Sequence, residues 1–242
     1  MINCPGNLQA AGIDTTLVVT VQKGVNDHEL GRLVDFALAQ DHVRGITLQP
    51  VQHAGRTDGF DPARDRLTLT EVRRRILSQS SAFSEDDIVP VPCHPDALAM
   101  AYALQLGGAT MPLTRLVPRE VLLEGPRNTI AFEKEDPVKD HLTALFSTSH
   151  SPESSAGCLS DLLCCLPKVD VPADWTYQNL FRLIIMQFMD AWDFDVRSVK
   201  KSCVHIVDPR TMNLVPFETY NLFYRDGLAS ERLAQLRAGR ER

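Results

Sequence analysis

Four cysteines are the residues of this sequence whose type and placement point most directly to chemistry. Cys93 stands in "VPVPCHP", Cys164 and Cys165 in "LLCCLP", and Cys203 in "KKSCVH". Each stretch joins a regular element to a proline-bounded turn or a charged run. Neighbouring cysteines are poor disulfide partners, because their ring is strained and on a helix their side chains diverge by about 100°. Four thiolates are the donor set of an iron–sulfur cluster or of tetrahedral zinc. His94 and His205 lie beside two of these thiols, so a three-thiolate, one-imidazole zinc site fits as well. The plain alternative is that small apolar cysteines fill a core. No CxxC pair occurs, and spacing leaves all three readings open. Cys4 and Cys158 stand outside the set.

Other chemistry is thinly represented. Asp190, Asp193 and Asp195 form a carboxylate group that reads more simply as a helix end. His53 and Arg56, in a loop after a strand, suit an anionic ligand or a solvated surface equally. A phosphate-binding glycine loop, HExxH and GxSxG are all absent from the sequence.

The elements that must position these residues come from a chain of 242 residues, 44% apolar and 23% charged, with a formal charge of −6. That balance gives no overall attraction to nucleic acid or anionic lipid. The basic runs at Arg73-Arg74-Arg75 and Lys200-Lys201 lack interleaved aromatics, so no nucleic acid is expected as a partner. The first residues show neither a basic start nor an apolar stretch. The most apolar run, residues 179 to 189, is interrupted by Arg182 and Gln187 and is read as a buried helix with no transmembrane segment. A cytoplasmic protein is expected, where six cysteines serve as metal ligands or core more often than as disulfides.

"TTLVVTV" (15 to 21) predicts a strand covered on both faces. Asn26 and Glu29 have capping-box spacing ahead of a helix whose apolar face is Leu30, Leu33, Val34, Ala37 and Leu38. "VRGITLQP" (43 to 50) predicts a second strand, parallel to the first. The loop from 52 to 66 leaves the carboxyl end of that strand, where α/β folds place ligands. Thr70 is expected to cap the next helix, and a further helix is expected from Pro95. After about residue 107 the elements become short, ending in a hairpin of "SCVHIVDP" with "NLVPFETYNLF" and an amphipathic tail helix. Two parallel strands alone do not make a stable sheet, so later strands or a larger assembly must complete it.

The ordered motifs "LVVTVQKGVNDHELGRLVDFAL", "VRGITLQPVQHAGR", "RLTLTEV", "DIVPVPCHP", "MPLTRL", "LLCCLP", "FDVRSVKKSCVHIVDP" and "PFETYN" resemble the radical S-adenosylmethionine (radical SAM) enzymes. Within these, the likeness is to the tetraether-lipid-synthase and methylase-like group, and it covers nearly the whole chain. The resemblance implies an α/β fold: a partial (βα) barrel of the radical SAM type over 1–106, then a mixed α+β auxiliary-cluster region over 107–242. In that family a CxxxCxxC motif holds the 4Fe-4S cluster that binds and cleaves S-adenosylmethionine, and further cysteines bind auxiliary clusters.

Carried to this sequence, the resemblance makes Cys93, Cys164, Cys165 and Cys203 ligands of an auxiliary 4Fe-4S cluster. It makes Gln49 and Arg56 the cofactor-binding candidates. No CxxxCxxC occurs in the 242 residues, and Glu218 stands in the region where the archaeal members carry a cysteine. The expected function is therefore the C-terminal part of a radical SAM oxidoreductase or transferase, contributing to an apolar or lipid-like substrate site. It is expected to be inactive alone and to need an N-terminal radical SAM segment, upstream or as a separate chain. The alternatives are a non-catalytic iron–sulfur or zinc module and a remnant with core thiols.

Overall fold

The structure, a computed structural model, describes residues 4–53, 59–91, 94–106, 108–115, 119, 179–202, 204–209 and 211–225. Cys93, Cys164, Cys165, Cys203 and Arg56 lie outside these residues, as does the expected tail helix.

A short helix α1 (Cys4–Ala10) precedes strand β1 (Thr15–Val21), helix α2 (Leu30–Leu38) and strand β2 (Val43–Pro50). A one-turn α3 (Pro62–Asp65) and helix α4 (Leu69–Gln79) follow, then strands β3 (Val89–Pro90), β4 (Leu98–Leu106) and β5 (Ala109–Pro112). Strand β6 (Leu180–Met186) leads to α5 (Val196–Val199), the hairpin strands β7 (His205–Val207) and β8 (Leu214–Pro216), and α6 (Phe217–Thr219). A π-helical turn over Tyr220–Tyr224 continues from α6.

The main sheet runs β1-β2-β6-β4-β3, with β5 also on β4. β1, β2 and β6 are parallel, and β4 is antiparallel to β6, β3 and β5. The fold is thus mixed α/β around a mixed sheet. The parallel pairing of β1 with β2 is the expected one, and later strands do complete the sheet. β6, from the second expected segment, sits between β2 and β4.

Two expected helices are strands. The run at 179 to 189 is β6, and the stretch after Pro95 is a turn followed by β4. In β6 the near-continuous apolar run reflects burial on both faces, a pattern that periodicity alone cannot separate from a buried helix. In β4 an alanine-rich run hides a period of two. Ala99, Ala101 and Ala103 join the core cluster that includes Val34 of α2 and Ile76 of α4, while Met100, Tyr102 and Leu104 alternate with them. Pairing along both of its edges outweighs the helix preference of alanine.

β1 is also not covered on both faces. Val21 is fully buried, but Val18 is 64% exposed, as befits the edge of the sheet. Among the described residues β1 pairs on one side only.

The helix starts differ from expectation too. Asn26 does not cap α2: its side chain accepts from the Gln22 N–H (2.8 Å) and donates to the Thr20 carbonyl (2.9 Å), and Glu29 takes the cap position with no side-chain bond. Thr68, not Thr70, caps α4, in a reciprocal box with Glu71. α4 then packs on α2 at Gly31, where a Cβ would lie 2.4 Å from the Gln79 carbonyl carbon.

Candidate functional site

The parallel strands deliver their carboxyl ends to one region. A cavity of about 410 Å³ lies there, lined by Thr20 from the end of β1, Gln49 and Pro50 from β2, and Phe188 and Met189 just after β6. Its far wall comes from Ile206, Phe217, Glu218, Tyr220, Asn221 and Arg225. The hairpin and α6 are brought to this end by two contacts. The Phe217 N–H donates to the Val204 carbonyl at 2.9 Å, and the rings of Phe188 and Phe217 sit 4.4 Å apart. The volume is in the ordinary range of small-molecule sites.

Gln52 also lines this cavity. Its amide oxygen and nitrogen are both enclosed, and neither has a hydrogen-bond partner among the described residues. A buried amide left unpaired is costly, so it is well placed to serve a ligand. Gln49, expected as a cofactor-binding residue, faces the same cavity.

The segment carrying Gln52 is tied down by buried charge. Asp190, fully buried, pairs with Arg66 and accepts from the N–H groups of His53 (3.1 Å) and Trp192 (2.8 Å). Burial pushes the Asp190 carboxyl up, but Arg66 and these two donors outweigh it and hold it below the usual range. Asp193, which accepts from the Asp190 N–H at 2.7 Å, is instead raised, chiefly by burial. The side-chain amide oxygen of Gln187 (Oε1) accepts from the Leu69 N–H at 2.6 Å, fixing the start of α4 to the same end. The three aspartates are therefore not a helix end. Asp190 and Asp193 organise the loop, and Asp195 caps α5.

A second, smaller cavity of about 20 Å³ adjoins the first. It is lined by His94, Leu98, Met186, Ser202, Val204 and Glu218, among others, and Glu218 and Phe188 belong to both cavities. His94 is 3% and Glu218 4% exposed. The Ser202 hydroxyl donates to Glu218 Oε2 at 3.0 Å. Both ring nitrogens of His94 lack a hydrogen-bond partner among the described residues. Burial lowers the His94 pKa, against the opposing pull of Glu218, so its imidazole is neutral and keeps a lone pair.

Of the expected site residues, Gln49 is in place at the larger cavity. The four cysteines and Arg56 are not described, but chain neighbours of two cysteines converge. His94 follows Cys93, Ser202 and Val204 flank Cys203, and all three line the small cavity. Among the described residues no group of three His, Cys, Asp or Glu is placed to hold a metal. Sequence reasoning missed Gln52, for which no sequence signal exists. It also missed the Arg66–Asp190 pair, whose partners are 124 residues apart. No helix among the described residues is long and apolar enough to cross a membrane.

No family model matches the chain. The chain is similar to the 7,8-dihydro-6-hydroxymethylpterin dimethyltransferase of Methanocaldococcus jannaschii, 27% identical over 255 residues. The match covers 90% of this chain and 50% of that protein, so the chain spans about half the length of the curated relative it matches. This likeness gives no support to the tetraether-lipid group; it supports a radical SAM relative for the chain.

Proposed function

We propose that this chain is the C-terminal part of a radical SAM transferase, supplying a substrate site and a metal centre to a barrel segment that carries CxxxCxxC. The observation that carries the reading is the cavity of about 410 Å³ at the carboxyl ends of β1, β2 and β6. Ligands of parallel α/β sheets bind at that end. S-adenosylmethionine belongs to the completed enzyme, with Gln49 and Arg56 as this chain's contributions to holding it. The barrel itself is part of the proposal: β1, β2 and β6 would be its later strands, closed by strands of the other segment.

The lining suits a flat polar ring. Phe188 and Phe217 offer aromatic faces, and Gln49, Gln52 and Asn221 offer amides able to donate and accept at a ring edge. The substrate named for the relative is a pterin, which has that chemistry. Met189, Ile206 and Val51 favour the second reading, an apolar or lipid-like substrate.

Cys93, Cys164, Cys165 and Cys203 are the proposed ligands of the auxiliary cluster, with a zinc centre as the alternative. The setting fits a metal group, since a buried imidazole with unpaired nitrogens and a buried carboxylate lie beside positions 93 and 203. A 4Fe-4S cluster held there would supply electron transfer next to the substrate cavity. The test is methyl transfer by the reconstituted chain together with its CxxxCxxC segment. Label from methyl-labelled S-adenosylmethionine should enter 7,8-dihydro-6-hydroxymethylpterin, and Gln52→Ala should lower the rate at least about tenfold. Labelling of an isoprenoid or fatty acyl substrate in place of the pterin would favour the lipid reading. Labelling of neither would overturn the transferase assignment.

A further inference from the structure

Glu218 is the one acid among the described residues that line the cavity of about 410 Å³. It stands in α6 directly after Phe217, whose ring packs against that of Phe188 at 4.4 Å, and both rings line the same cavity. Glu218 is 4% exposed, so its carboxylate depends on donors from the protein or from a ligand. The Ser202 hydroxyl supplies one, on Oε2 at 3.0 Å. Among the described residues Oε1 accepts none, and no cation stands within ion-pair distance. Arg225, the cation of the same lining, lies past the far end of the π-helical turn. A carboxylate offers about four acceptor positions, and buried polar groups are rarely left so far short of partners.

The kind of group fixes the kind of ligand. The amides of Gln49 and Asn221 can turn to meet either a donor or an acceptor, whereas a carboxylate only accepts. Its two oxygens match a pair of parallel N–H donors, the geometry of its pairing with a guanidinium. A ring edge that sets an acceptor beside its amine, or a hydrocarbon that offers neither, leaves Glu218 unserved. We infer that Glu218 is the specificity-determining residue of this cavity. Its carboxylate takes the donor–donor edge of a flat 2-amino-4-oxopyrimidine ring, formed by a ring N–H and the adjacent amine. The faces of Phe188 and Phe217 lie beside that ring. The inference rests on the substrate-site reading above and narrows it from a flat polar ring to a cyclic guanidine.

The test uses the full chain, alone and together with its CxxxCxxC segment, and reads the binding of two fluorescent probes by titration. 6-Hydroxymethylpterin carries the 2-amine, and 6-hydroxymethyllumazine has an oxygen in its place with the same outline. The parent should bind the pterin at least about 100-fold more tightly, since a site built for a donor rejects the analogue that lacks it. Glu218→Gln, close in shape to the native side chain, should abolish that preference, because its amide can donate to the 2-oxygen. Should the variant not fold, the ratio of the two affinities in the parent decides by itself. Equal affinity of the parent for both probes would overturn the inference and leave the substrate-site reading standing. A preference unchanged in folded Glu218→Gln would do the same. Binding of neither probe, with or without the segment, would overturn both.

Discussion

Arg66 and Asp190, 124 residues apart, form a buried ion pair that pins the loop after β2 to the loop after β6. Asp190 is fully buried and also takes the N–H groups of His53 and Trp192. The pair therefore holds the cavity edge carrying Gln52. Removing Asp190 leaves Arg66, 18% exposed, with Asp193 at 3.8 Å as its remaining acidic partner, so the loss lies at the low end of the roughly 3–5 kcal/mol of a broken buried pair. Asp190→Ala is expected to lower unfolding free energy by about 3 kcal/mol in urea titrations. Asp190→Ala together with Arg66→Met should recover part of that loss, because Arg66 no longer lacks its main partner, while Asp193 loses only its longer 3.8 Å contact with Arg66. A single variant within 0.5 kcal/mol of the parent, roughly the range of surface changes, would contradict the bracing role.

The same carboxyl sets an acid-side dependence. Its folded pKa lies below the ordinary aspartate value of 3.8, so its stabilisation is complete above that value and is lost as pH falls through the folded pKa. Asp193 carries the opposite sign. Its pKa is raised, so its contribution is full below 3.8 and declines as pH rises through the folded value. Unfolding midpoints between pH 5 and about pH 2 should fall less steeply in Asp190→Asn than in the parent. Asp193→Asn should gain relative stability toward neutral pH. Identical slopes for parent and Asp190→Asn would show that the pair does not govern acid unfolding.

The opening strands and the closing hairpin were readable in the sequence because β1, β2 and β7–β8 are local patterns with clear stops. Val43–Pro50 coincides with the predicted strand, and Pro50 ends it. What stayed hidden depends on neighbours. β6 is central in the sheet, paired with β2 and β4 along its edges and buried on both faces, and nothing within residues 179 to 189 distinguishes that from a buried helix. The alanines of β4 favour a helix until strand pairing on both edges is counted. For the caps, "LTLT" offers Thr68 and Thr70, and only Thr68 stands three residues before a glutamate. At the site, Gln49, expected to bind a cofactor, lines the larger cavity, and Glu218, noted in the sequence only as standing where a cysteine was expected, lines both cavities. The enclosed, unpaired state of Gln52 and His94 exists only after folding.

The exposed edge of the sheet gives a prediction about assembly. β1 is uncharged, seven residues long and paired on one side among the described residues, with Val18 64% exposed. Natural sheets protect such edges with charge, proline or cover. In the proposed enzyme the cover is a strand of the CxxxCxxC segment. Val18→Asp should leave the stability of this chain within about 0.5 kcal/mol of the parent. It should weaken association with that segment at least about tenfold in a pull-down or calorimetric titration. Unchanged association would remove β1 from the interface.

The central claim, that this chain works as one part of a radical SAM enzyme, is tested most directly by reductive cleavage of S-adenosylmethionine. The chain is reconstituted with iron and sulfide, reduced with dithionite, and assayed for 5′-deoxyadenosine by liquid chromatography, alone and with a segment carrying CxxxCxxC. The account predicts background levels from these 242 residues, which contain no such motif, and formation of the product once the segment is added. Turnover by the chain alone, or none with the segment present, would contradict it.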